Sequence, residues 1–69
     1  MEFRWMDGFE ISVKEDRGEV VISANREGLL SLANNLITLA QKEGCDHFHL
    51  DEHNSLEEGS AELIIEKTR

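Results

Sequence analysis

The sequence contains no proline, no tyrosine and a single cysteine among its 69 residues. One cysteine excludes an internal disulfide. With no proline, repeat or low-complexity tract, no segment reads as a linker, so residues 1–69 are expected to form one domain. No apolar run approaches the roughly 20 residues that span a bilayer, and Met1–Gly8 lacks a signal-peptide pattern; both point to the cytoplasm. Basic residues are also scarce: seven Lys and Arg against fifteen Asp and Glu give a formal charge of −8. Phosphate backbones and anionic bilayers attract basic surfaces, so nucleic acid and membrane are disfavoured and a basic protein partner is favoured. No base–nucleophile spacing, glycine-rich phosphate loop or nucleophile elbow occurs, which argues against an enzyme. No cofactor signature occurs either. Cys45, with no cation nearby to lower its pKa, reads as a packing residue.

Apolar residues alternate through Phe3, Trp5, Phe9, Ile11 and Val13, the period of a strand. A tight turn at Asp7-Gly8 would put Trp5 beside Glu10, so one long strand kinked at Gly8 is expected, with residues 1–8 loosely anchored. Glu15–Gly18 is a turn signal. A four-residue loop there sets Val13 against Val20, Ile11 against Ile22 and Phe9 against Ala24, matching inward with inward. Asn25 reads as an N-cap. From Leu29 to Ala40 the apolar residues Leu29, Leu30, Leu32, Ala33, Leu36, Ile37, Leu39 and Ala40 gather into an arc of about 180°, with Ser31, Asn34, Asn35 and Thr38 opposite. Gly44 is the expected stop. Asp46–Asp51 alternates again, Phe48 and Leu50 inward and His47, His49 and Asp51 outward. In Ala61–Lys67, Leu63 and Ile65 match the core face and Ile64 lies opposite. The expected fold is a two-layer α+β ββαββ domain. One helix covers one face of a four-stranded, mainly antiparallel sheet, with the last strand central. A chain of this size buries only about 60% of its unfolded surface, which makes association a common remedy.

The uncovered face would present Val21 and Ile64 among His47, His49, Asp51, Ser12, Ser23 and Glu62, a credible protein-binding or homodimer face. His47, His49 and Asp51 on one strand face are also metal-ligand types, which leaves a small metal-binding module as an alternative. A solvated strand face remains the simpler account of them. The acidic set Asp51, Glu52, Glu57 and Glu58 could meet a basic cleft on a partner, or be an ordinary solvated loop.

The stretch Ile22-Ser23-Ala24-Asn25-Arg26-Glu27-Gly28-Leu29-Leu30-Ser31-Leu32-Ala33 resembles the strand-to-helix entry of a group of small bacterial immunity proteins, the cognate inhibitors in polymorphic toxin systems. The resemblance continues in His47-Phe48-His49-Leu50-Asp51, Leu56-Glu57-Glu58-Gly59-Ser60 and Glu62-Leu63-Ile64-Ile65, covering roughly residues 20–66. It implies neutralisation of a toxin by protein contact, with no catalysis. The resemblance does not assign contacts; from the outer strand face and the acidic loop, His47, His49, Asp51, Glu52, Glu57, Glu58 and Ile64 are the expected partner contacts.

Overall fold

A computed structural model describes residues 4–69; the expectations placed on Phe3 lie outside the described residues. The elements run β1 (Ile11–Asp16), β2 (Glu19–Ala24), α1 (Arg26–Gln41), β3 (Asp46–Leu50) and β4 (Leu63–Lys67). The α+β class and the ββαββ order are as expected. The single four-stranded sheet is not: β1 pairs only with β2, and β3 only with β4, each antiparallel. The reason lies on the free edge of β1. Buried backbone groups must find partners, and here the connection between β3 and β4 supplies them. The Ile11 carbonyl accepts from Glu57 N–H and the Val13 carbonyl from Ala61 N–H, both at 2.8 Å. Val13 N–H donates to Ser60 Oγ at 3.1 Å. The edge that β4 would have used is therefore occupied by residues 57–61, and β4 is not a central strand.

The first hairpin also turns more tightly than expected. Ile11 pairs with Ala24, Val13 with Ile22 and Glu15 with Val20, leaving a loop of Arg17 and Gly18 alone. Both have positive φ, 52° and 82°, the conformation a two-residue turn needs to match strand twist. The faces are those expected, because a register shift of two residues preserves them. What changes is cover. Ile11 and Val13 are fully buried, whereas Val20 and Ile22 on the same face stay exposed.

The chain before β1 is not a continuation of the strand. Gly8 takes φ +81° in a turn where Phe9 N–H donates to the Met6 carbonyl. Nor is residue 4 onward loosely anchored. Arg4 N–H donates to Asn35 Oδ1 and Met6 N–H to Ser31 Oγ, both at 2.8 Å. Two extended residues advance about 6.7 Å and four helical residues about 6 Å, so alternate amides of the segment can match successive turns of α1. Between them Trp5 stacks on Phe9, ring centroids 5.0 Å apart, and both pack against the core.

That docking fixes the rotation of α1, the largest departure from the sequence expectation. The stripe facing inward is Gly28, Ser31, Leu32, Asn35, Thr38 and Leu39. Leu29, Leu30, Leu36 and Ile37, expected in the core, are between 39% and 54% exposed. Ser31 and Asn35 face inward and supply the acceptors for the part-buried amides of residues 4 and 6. Thr38 Oγ1 instead donates to the Asn34 carbonyl within the helix. Asn35 Nδ2 is buried without a hydrogen-bond partner. The apolar core consists of Ile11, Val13, Leu32, Leu39, Phe48, Leu50 and Leu56.

Asn25 caps α1 as expected and does more. Its Oδ1 accepts from Gly28 N–H at 2.8 Å and from Glu10 N–H at 3.0 Å, and its Nδ2 donates to the Gly8 carbonyl. Its backbone N–H donates to the Glu10 carbonyl. One side chain thus ties the entry of β1, the exit of β2 and the start of α1. At the other end the helix stops at Gln41, and Lys67 Nζ on β4 donates to the carbonyls of Lys42 and Gly44. Cys45 is exposed rather than packed, with Sγ 2.8 Å from the Thr68 carbonyl oxygen.

Candidate partner-binding face

The β3–β4 hairpin separates its residues by parity. Phe48 pairs with Ile65 and Leu50 with Leu63 toward the core; His47 pairs with Glu66 and His49 with Ile64 on the outer side. His47 and His49 are exposed, their rings meeting edge-on with centroids 5.0 Å apart. Ile64, 51% exposed, lies directly across from His49. These three expected contact residues are brought together as an apolar side chain rimmed by imidazoles. Val21, Ser12 and Ser23 belong to the other sheet, so the broad common face expected from a four-stranded sheet does not form.

Asp51 follows β3 and is half-buried. Its carbonyl accepts from the N–H groups of Asn54, Ser55 and Leu56, and its Oδ1 from His53 N–H at 2.9 Å. Asn54 Oδ1 accepts from Asp51 N–H in return. Asp51 therefore winds the loop and is not aligned with the two histidines. Among the described residues no group of three or more His, Cys, Asp or Glu side chains is placed to hold a metal ion.

The acidic set divides in two. Glu52 Oε2 accepts from Gly59 N–H at 2.9 Å, closing the loop, while its Oε1 lies 3.8 Å from His53 Nε2. Glu52, His53 and Glu58 line one open depression. Glu57, held by its backbone bond to Ile11, lines another with Glu10, Ser12, Ser23 and Asn25. Glu10 was not identifiable as a neighbour from sequence, whereas His53 adjoins Glu52 in the chain. Glu10 is 47 residues before Glu57 and reaches it only through the loop's attachment to β1.

Asp46 opens β3 and has its carboxyl held below the ordinary aspartate value. The first cause is the hydrogen bond from His47 N–H to Oδ1 at 2.8 Å; the second is Lys42 Nζ, 3.1 Å from Oδ2. A carboxylate whose folded pKa is depressed adds stability above its unfolded value, about 3.9, and loses it as pH falls through the folded value. The stability gap between the native chain and Asp46→Asn should therefore narrow as pH is lowered from about 5 to about 2. Urea unfolding across that window measures it, and a constant gap would remove Asp46 from the acid response.

No helix among the described residues is long and apolar enough to cross a membrane. Residues 19–68 match the family model described as Immunity protein 32, which takes in β2, α1, β3 and β4 and leaves β1 outside. Searches of curated proteins and of solved structures return no match.

Proposed function

The chain belongs to the immunity protein 32 family, and from that premise we propose that it neutralises a cognate toxin domain by direct protein contact, without catalysis. The family match over residues 19–68 carries this reading. The charge of −8 and the exposed β3–β4 face favour a basic toxin surface. In this proposal Ile64 is the apolar anchor, with His47 and His49 as its polar rim. Glu52 and Glu58 at one end, and Glu57 beside Glu10, steer the encounter. Asp51 acts through the loop it winds. Desolvated apolar area supplies affinity at such a face, and surrounding charge supplies rate and specificity.

The test begins with capture by the tagged chain from native extract and identification of the bound protein by mass spectrometry. The captured domain is then expressed alone in cells. Growth arrest relieved by the native chain is the expected result, and arrest that persists would overturn the proposal. Glu57→Lys with Glu58→Lys should slow association about tenfold at low salt and much less near 0.5 M, where screening is strong. An association rate that the double reversal leaves unchanged would remove those two residues from the mechanism.

A further inference from the structure

Acidic residues number fifteen in this chain, yet none falls between Glu27 and Glu43. The one long element in that interval, α1, turns apolar residues outward along its length. Turning 100° per residue, Leu29, Ala33, Leu36 and Ala40 fall within an arc of about 60°, flanked on one side by Leu30 and Ile37. Leu29 is 54% exposed and Leu36 40%; Ala33 and Ala40 are also exposed. The chain's surface of 5107 Å² exceeds the roughly 4,400 Å² expected for a folded monomer of 7.9 kDa. A basic toxin surface would be drawn to carboxylates, and this face offers none.

The spacing identifies an occupant. Leu29, Ala33, Leu36 and Ala40 follow one another at four, three and four residues, the seam of a two-helix coil. Laid antiparallel on a second copy, the seam places Leu29 against Ala40 of the other copy and Ala33 against its Leu36. The same pairs recur across the two-fold. Every large residue then faces a small one, so the two backbones can approach closely with their side chains interdigitated. One step outward the same register sets Arg26, the first helical residue, against Glu43 of the other copy, just beyond its helix end. The last turn of α1 carries no basic residue of its own, and Arg26 would lie at that negative pole. Lys67 Nζ already bonds the Lys42 and Gly44 carbonyls there, so Glu43 is the acceptor at that end. Arg26 lies 3.4 Å from Glu27 Oε2 of its own chain on an exposed surface, and would share or exchange that pair to reach Glu43.

We propose that two copies of this chain associate through an antiparallel α1–α1 contact along the Leu29–Ala33–Leu36–Ala40 seam. The helix face supplies a few hundred Å2 per copy, below the ~800 Å2 of a standard interface. A contact of that size implies a weak, concentration-dependent dimer.

Sedimentation velocity from about 1 μM to about 1 mM tests this directly. The expected result is a concentration-dependent monomer–dimer equilibrium. It should strengthen with added salt, because each copy carries −8 and screening relieves their repulsion. Leu36→Glu, and separately Ala33→Leu, should raise the dissociation constant at least about tenfold. Both side chains are exposed in the monomer, and an unchanged thermal midpoint verifies that the fold is intact. Arg26→Glu and Glu43→Arg should each weaken pairing, and together restore it. A chain that stays monomeric at the highest concentration would overturn the proposal. So would a dimer insensitive to Leu36→Glu but broken by Ile64→Lys, which would place the contact on the β3–β4 face. Single reversals without effect would overturn the antiparallel register.

Discussion

Gly28→Ala is expected to destabilise the domain by about 2–3 kcal/mol, although alanine is the better helix former. The helix interior favours the change by about 1 kcal/mol. Geometry opposes it more strongly. A Cβ at Gly28 would run into the Glu10 carbonyl oxygen, lie 2.9 Å from Ile11 Cγ1 and 3.1 Å from the Ala24 Cβ. The first of these atoms is backbone, fixed by its bond from Asn25 N–H, and Ile11 is fully buried, so neither can swing away. Small domains command only about 3–5 kcal/mol in total, which makes this loss most of the stability. For a chain of this length the thermal midpoint should fall by roughly 10–20 °C. Gly8→Ala is the control. Its backbone is strained at φ +81° but nothing lies within 4 Å of the added methyl, so its cost should stay near 1 kcal/mol. Thermal and urea unfolding by circular dichroism measure both. A Gly28→Ala midpoint at or above that of the native chain would refute the close approach of α1 to β1.

The close approach at Gly28 also marks where sequence reading stops. Asn25 was legible as a cap, since capping chemistry is local. That Gly28 must lack a side chain was not, because the atoms it would strike belong to residues 10 and 11. Strand parity behaved in the same way. Alternation correctly sorted Phe48 and Leu50 from His47 and His49, and Ile11 and Val13 from their neighbours. Yet parity cannot distinguish registers two residues apart, so it admitted the four-residue loop that Arg17-Gly18 replaces. The helix was placed correctly in the chain and wrongly in rotation. Its apolar arc is the stronger hydrophobic signal, and only the Leu32–Leu39 edge of it reaches the core while the rest points out. The buried stripe also holds Ser31 and Asn35, whose value depends on the amides of residues 4 and 6. At the candidate site, His47, His49 and Ile64 were legible as a group because a hairpin preserves parity. Glu57 and Glu58 were not separable, since the loop's attachment to β1 turns them apart.

Trp5→Ala is expected to cost about 2–3 kcal/mol, a large effect for a residue outside the stretch that matches the family. Trp5 is half-buried, stacks on Phe9 and lines an open depression with Phe48, Leu50 and Asn54. Removing it loses apolar contact with the core and an aromatic pair worth about 1 kcal/mol beyond its area. The consequence extends along the backbone. The bonds from Arg4 to Asn35 and from Met6 to Ser31 hold only while the segment lies against α1. If Trp5 no longer anchors it, Ser31 and Asn35 lose their protein partners, and water reaching them as the segment lifts keeps the added cost well below that of a dry unpaired group. Amide hydrogen exchange provides the second readout. In the native chain the Arg4 and Met6 amides should be protected well above random-coil rates, and in Trp5→Ala that protection should vanish while the β3–β4 amides keep theirs. Trp5→Phe should retain much of both, because a ring still meets Phe9. Native amides exchanging freely at residues 4 and 6, with an unmoved midpoint in Trp5→Ala, would mean that α1 buries Ser31 and Asn35 for some other reason. The rotation of α1, and with it the outward seam, depends on that anchor.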